Sequence, residues 1–331
     1  MSRVSSNAIR SHWAVARLKL PGRQFAHGRL EVSVPRGFLA VGVTPGGVSL
    51  LVPVASDDRF AETEDVKVSL CRSTVDWGEG EIDHLEISCH DEQLEPVFAQ
   101  LCAELIEQIE SSKRPGLEVR SHFDRWRSLF ASRPRNGLGR TQLIGLFGEL
   151  QTLGDVMSQA ANRDLSIWIG PTGASHDFEH HADFLEVKST TSRNETIIEI
   201  HGMDQLRSPD GGTLHLVVHH LSESDNGFTI NDQVERLVDM GVDRIALYER
   251  LSLVGYDWAD TKETGRLRLR LDRTDWYLVD DDFPRLIDSS LVGGVLPAGV
   301  VRVNYSIDLT GPCPAPLDDF RVKSVIRAFG G

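Results

Sequence analysis

Cysteine is scarce in this sequence. Four are spread over 331 residues, at Cys71, Cys89, Cys102 and Cys313, and no two form a Cys-x-x-Cys pair. That scatter argues against a zinc ribbon or a disulfide framework and fits reduced thiols in a cytoplasmic protein. Long apolar runs are missing too. No stretch approaches the roughly 20 residues that cross a bilayer, and the opening Met1-Ser2-Arg3-Val4-Ser5-Ser6 lacks the apolar core of a secretory signal. No membrane association is expected. Positive charge is in deficit, with 35 Lys and Arg against 49 Asp and Glu, a net charge of −14. Such a chain does not coat nucleic acid through its overall field, although a local basic groove remains compatible with that total.

What is present is ordinary for a globular protein, at 40% hydrophobic and 25% charged residues, with length enough for two domains. After a frayed terminus and a short helix from Ile9 to Leu18, residues 21–90 hold short alternating runs: Leu30 to Val34, Val66 to Leu70 and Leu85 to Cys89. Alternation broken by Pro and Gly predicts antiparallel strands. Leu94, Val97, Phe98, Leu101, Leu105 and Ile109 recur at helical spacing. Residues 1–112 therefore read as a β-rich domain with a closing helix, suited to docking. Residues 113–140 read as an arginine-rich connector. Its Arg125, Arg127, Arg133, Arg135 and Arg140 are candidates for phosphate contact, and a solvated helix face with a linker is the plainer alternative.

Residues 141–245 form the expected core. Thr141 is a reasonable N-cap for a helix to about Ala160, with Leu143, Phe147, Leu150 and Val156 on its buried face. A strand is predicted from Leu165 to Ile169. A hairpin with its turn at His181-Ala182 then joins 176–180 to 183–188. A third core strand spans 196–200, a buried strand 214–221 and a helix 231–240. That order predicts a mixed α/β sheet flanked by helices. Residues 246–331 read as a mixed extension. There Arg266, Arg268 and Arg270 share one strand face, as a phosphate ridge or as a charged edge. The pairs His180-His181 and His219-His220 lack a convincing metal-ligand spacing.

The chemistry concentrates in the hairpin. In Phe184-Leu185-Glu186-Val187-Lys188, Glu186 and Lys188 point one way and Leu185 and Val187 the other. The proposed register sets Asp177 opposite Glu186, with Cβ atoms about 5 Å apart. Two carboxylates at that separation suit a cation such as Mg²⁺, which accepts one or two carboxylates together with phosphate and water. Asp183 is the rival acid, but a regular strand points it to the opposite face.

Asp177, a spacer and Glu186-Val187-Lys188, preceded by Gly145-Leu146-Phe147-Gly148-Glu149-Leu150 and Trp168-Ile169-Gly170-Pro171 and followed by Gln205-Leu206, resemble the PD-(D/E)XK nuclease superfamily. The set is similar to the bacterial "PD-(D/E)XK motif protein" group of restriction and phage-defence genes. The specific part covers about residues 140–220, and His176 stands where the motif has proline. The resemblance implies a restriction-endonuclease-like fold and Mg²⁺-dependent endonuclease activity on DNA, with Mn²⁺ able to substitute. It implies Asp177, Glu186, the Val187 carbonyl and Glu149 as metal ligands, and Lys188 and Gln205 at the attacking water. Expected partners are DNA, proteins encoded alongside it in a defence operon, and a second copy of the chain. The alternative is a catalytically inactive nuclease fold that scaffolds or positions DNA.

Overall fold

The computed structural model describes residues 4–34, 36–55, 62–63, 67–78, 80–112, 114–131, 137–209, 211–259, 267–312 and 314–330. The chain divides into two compact units, 1–133 and 134–331. Cys313, Arg133, Arg135 and Arg266 lie outside the described residues.

In the first unit, α1 (Ser6–Leu18) opens on Ser5, whose side chain accepts from the Ala8 amide. Five antiparallel strands follow: β1 (Ala26–Val34), β2 (Gly37–Thr44), β3 (Gly47–Pro53), β4 (Val68–Asp76) and β5 (Glu81–Cys89), in spatial order β1-β2-β3-β5-β4. Gly47 has no alternative at the β2–β3 turn, because a Cβ there would lie 2.0 Å from the Cys89 carbonyl oxygen. Helices α2 (Glu95–Glu110) and α3 (Pro115–Ala131) complete the unit. Trp13 stacks on Phe98 at 5.8 Å, Phe98 meets Trp126 edge-on at 5.8 Å, and the Trp13 indole N–H donates to the Ser49 carbonyl at 3.0 Å. These rings tie the three helices together. Much of the stretch read as a connector is thus α3, whose Val119, Phe123, Trp126 and Phe130 are buried. Its many arginines masked that apolar stripe.

The second unit starts with α4 (Arg140–Gln159). Its N-cap is Gly139, two residues earlier than the expected Thr141, and the Gln142 side chain accepts from the Gly139 amide. Leu165 to Ile167 form a single 3₁₀ turn where a strand was predicted, and only Trp168 makes a bridge, to Phe178. Asp164 accepts from the Ser166 amide and hydroxyl, which turns the chain there. β6 (Phe178–His180) and β7 (Asp183–Thr190) form the hairpin in the expected register, Phe178 against Leu185 and His180 against Asp183. His181 takes the left-handed φ of 56° that a two-residue hairpin turn requires.

β8 (Ile197–His201) is not a core-sheet strand. It pairs with β11 (Asn304–Asp308) in a separate two-stranded sheet. β9 (Thr213–Phe228) runs parallel to β7, and β10 (Leu269–Leu278) is antiparallel to β9, giving the mixed order β10-β9-β7-β6. α5 (Ile230–Asp239), α6 (Arg244–Leu253) and α7 (Asp319–Gly330) complete the unit, and α4 packs on β7, α5 and α7. Ile198, Ile200 and Ile307 of the small sheet bury themselves on Leu214, Leu216 and Val218 of β9. β9 is therefore buried on both faces at its start, which explains its continuous apolar run. The architecture is α/β, with seven α-helices among the described residues and mixed and antiparallel sheets, consistent with the expected PD-(D/E)XK nuclease-like fold.

No helix among the described residues is long and apolar enough to cross a membrane.

Candidate active site

The parallel pairing of β7 with β9 places Glu186 beside Leu216 and Lys188 beside Val218, on the face covered by the small sheet. Glu186 is thereby only 1% exposed. Lys188 Nζ lies 2.7 Å from Glu186 Oε1 and donates to Gln205 Oε1 at 3.0 Å. The same Gln205 oxygen accepts from the His201 amide at 2.7 Å, so the 3₁₀ turn Asp204–Leu206 anchors the lysine to the end of β8. The contact of Glu186 Oε1 with Lys188 is close but poorly angled for a hydrogen bond, and Oε2 has no hydrogen-bond partner among the described residues.

Asp177 precedes β6, and its amide donates to the Leu185 carbonyl. Its Oδ2 accepts from the Val187 amide at 2.7 Å, which locks the carboxylate across the hairpin. Glu149 projects from α4, and its Oε2 accepts from the indole N–H of the fully buried Trp168 at 2.8 Å. Gly170 sits between these acids. A Cβ there would lie 2.9 Å from Asp177 Oδ1 and 3.5 Å from Glu149 Oε2.

Asp177, Glu186, Val187, Lys188, Glu149 and Gln205 line one cleft of about 580 Å³. Among the described residues of the arginine set, Arg140 lines it, and it is ion-paired to Glu223. Arg125 and Arg127 belong to α3 in the first unit. Asp183 sits at the turn end of β7 opposite His180 and is absent from the lining. Sequence reading passed over Glu199 and His201, which also line the cleft. The alternation of β8, with Ile198 and Ile200 buried and its odd positions exposed, would have pointed to them.

Electrostatically the cleft is short of positive charge. Burial, then the neighbouring Asp177, pushes the Glu149 carboxyl up to about 8. Burial also raises Asp177, against the pull of Lys188. Glu186 is held well above the usual carboxylate range by burial and by Asp177, with Lys188 opposing. Burial thus pushes all three acids towards their protonated forms, a push that added cationic charge would oppose.

Among the described residues, no three His, Cys, Asp or Glu side chains gather closely enough to hold a metal ion as a complete set. A Mg²⁺-like ion does not require one, since one or two carboxylates with water and phosphate satisfy it. The hard oxygen donors, the unpartnered buried oxygen of Glu186 and the raised carboxyls all suit a divalent cation. The histidine pairs are otherwise engaged. His180 Nδ1 lies 2.7 Å from the Ala328 carbonyl, His219 bonds Thr152 and Thr274, and His220 bonds Asp275.

The family described as "Putative PD-(D/E)XK family member, (DUF4420)" matches residues 11–310. No curated protein and no solved structure matches the chain.

Proposed function

The chain belongs to the DUF4420 family of PD-(D/E)XK proteins, and from that premise we propose that it is a Mg²⁺-dependent endonuclease hydrolysing DNA phosphodiester bonds, with Mn²⁺ able to substitute. The observation that carries this reading is the convergence of Asp177, Glu186 and Lys188 in one cleft, with one Glu186 oxygen buried and unpartnered. Nuclease-like proteins of this superfamily typically use divalent metals. Here Asp177, Glu186 and the Val187 carbonyl would hold the ion, with Glu149 supporting it through water. The bound cation supplies positive charge to the phosphate and lowers the pKa of a water ligand. Lys188 orients the attacking water and neutralises charge on the phosphate oxygens. Gln205 fixes the lysine through its carbonyl oxygen, and Arg140 offers a phosphate contact at the cleft edge. A restriction or anti-phage role, with operon-encoded partners and a dimer to cut both strands, follows from the motif resemblance and from the weak DNA affinity expected of so acidic a chain.

The net charge of −14 favours a second reading, a nuclease fold that positions DNA without cutting it. Cleavage separates the two. Purified protein, with and without its neighbouring gene products, is incubated with Mg²⁺ on modified and unmodified phage DNA, with RNA as a further substrate. DNA cutting that falls at least ~100-fold in Glu186→Ala and Lys188→Ala, with folding intact, supports the nuclease. Cutting at the wild-type rate in both variants refutes the site.

A further inference from the structure

The cleft follows a free strand edge. At the start of the β7–β9 ladder the Thr213 amide donates to the Ala182 carbonyl, so even-numbered residues of β7 turn their backbone groups towards β9 and odd-numbered ones turn theirs to the opposite edge. On that opposite edge the β6 ladder stops at Phe178 and Leu185, and the Asp177 carboxylate takes the next amide, that of Val187. Beyond it, the Val187 carbonyl and both backbone groups of Ser189 have no partner among the described residues. Ser189 is half-buried and lines the cleft with Thr190 and Thr191.

Both faces of this edge are walled. On one side α4 lies so close that a Cβ at Gly148 would run into the Ser189 hydroxyl. Thr141, Gly145 and Glu149, four residues apart on one helix face, line the cleft there. Gly145 leaves open space, since a Cβ at that position would meet nothing within 4 Å. On the other side stands the β8–β11 sheet, which presents Glu199 and His201. Gln205 reaches from Lys188 to the His201 amide, so this wall is one side chain away from the lysine. The reacting groups lie at the bottom, with Glu186 only 1% exposed.

Two walls around one edge restrict the substrate. Each strand of a duplex has the major groove on one side of it and the minor groove on the other. An α-helix or a two-stranded sheet enters the major groove, about 12 Å wide, but neither enters the minor groove, about 6 Å wide. A duplex therefore cannot seat one strand between both walls, whereas a single strand can. Two residues of β-strand advance ~6.6 Å, close to one step between phosphates, so a phosphate next to the scissile one comes to the Ser189 amide. A protein strand is a poorer occupant, because the free edge is too short for a ladder. The lining holds two cations, Lys188 and Arg140, the latter ion-paired to Glu223. That is a small complement for an intact duplex, whose affinity grows with each phosphate neutralised. We propose that the cleft is a single-strand track, in which one DNA strand lies along the free edge of β7 and the Ser189 amide holds the phosphate beside the scissile one. The substrate is then an unpaired strand, flap or end, and cutting intact duplex requires a partner that separates the strands. The position of the scissile phosphate rests on the proposed nuclease activity.

The test measures binding to the full chain in Ca²⁺, another hard cation held by oxygen ligands, and cleavage in Mg²⁺. Fluorescence anisotropy compares a labelled 12-nucleotide single strand, the blunt duplex of the same sequence, and that duplex carrying an unpaired 12-nucleotide flap. The single strand and the flap are expected to bind at least ~10-fold tighter than the blunt duplex, with cuts confined to unpaired nucleotides. Gly145→Leu fills the open space beside the edge with a better helix former, and should weaken single-strand binding at least ~10-fold while the melting temperature holds. Ser189→Pro removes the outward amide and leaves the β9 ladder its bonds, and should weaken that binding at least ~5-fold. Should Ser189→Pro fail to fold, Gly145→Leu decides. Preference for the single strand without cleavage of any DNA would sink the nuclease proposal and leave the track standing. Equal affinity for the blunt duplex, no binding to any of the three, or Gly145→Leu binding like wild type overturns the track.

Discussion

Lys188 Nζ lies 2.7 Å from Glu186 Oε1, two residues away on the same face of a buried strand. The lysine is the resident cation of an acid-rich cleft, and it offsets only part of the burial that raises Glu186.

Removing the lysine should therefore cost stability, and removing the acid should not. Breaking a buried pair from one side costs roughly 3 kcal/mol, the low end of the usual range because the lysine keeps 15% of its side chain exposed. Lys188→Met is expected to lose about that much in urea unfolding without divalent ions. Protonation relieves an unpaired Glu186 at low pH, so the loss should grow as pH rises. Glu186→Gln, which removes a buried charge, is expected to be neutral or stabilising.

Cation binding should release protons. Glu149 is raised to about 8, so it favours protonation at pH 7, and burial pushes Glu186 in the same direction. A divalent ion favours the ionised form and expels the proton. Calorimetric titrations at pH 7 in buffers of different ionisation enthalpy should give a positive proton release that shrinks towards pH 9. A heat independent of buffer would contradict this.

Gly170→Ala should disturb catalysis from outside the motif. The added Cβ would lie 3.2 Å from the Asp177 Cα, a backbone atom that cannot rotate away. A shift of that acid by a fraction of an ångström is expected to lower the cleavage rate about 10- to 100-fold, with the circular dichroism spectrum unchanged.

These relationships were unevenly legible in the sequence. The hairpin register could be read because a short turn and period-two alternation leave little freedom, but the ladder ends at Phe178, and Asp177 just before it bonds to the Leu185 carbonyl and the Val187 amide instead of pairing with Glu186. Glu149 could be placed on its helix but not against Trp168, because that contact depends on how the 3₁₀ turn Leu165–Ile167 folds back. That turn itself misled, since an apolar run of strand length is held by Asp164 side-chain hydrogen bonds that compete with a ladder. β8 looked like a core strand because its alternation is genuine, but its partner β11 lies about a hundred residues away, and local pattern says nothing of that.

The acid limb of stability should report His219. Its ring is buried between Thr152 and Thr274, and burial, then His220, depresses its pKa to about 3. The unfolded chain takes up this proton near pH 6.5 and the folded chain does not. The stability it contributes is therefore complete above pH 6.5 and is lost as pH falls towards 3, by up to about 1.4 kcal/mol per pH unit. Asp155, raised to about 6 by burial, works in the opposite sense between its ordinary value and 6. His219→Gln should remove the His219 slope while leaving that of Asp155. An unchanged acid limb would contradict the assignment.

The most direct measurement is a calorimetric titration of Mn²⁺ into the full chain, repeated with Asp177→Asn and Glu186→Gln. A saturable binding event in the wild type that disappears in both variants is the result expected of two acids caging a divalent ion. No binding to any of the three, or the same isotherm in all of them, would contradict the metal-dependent site.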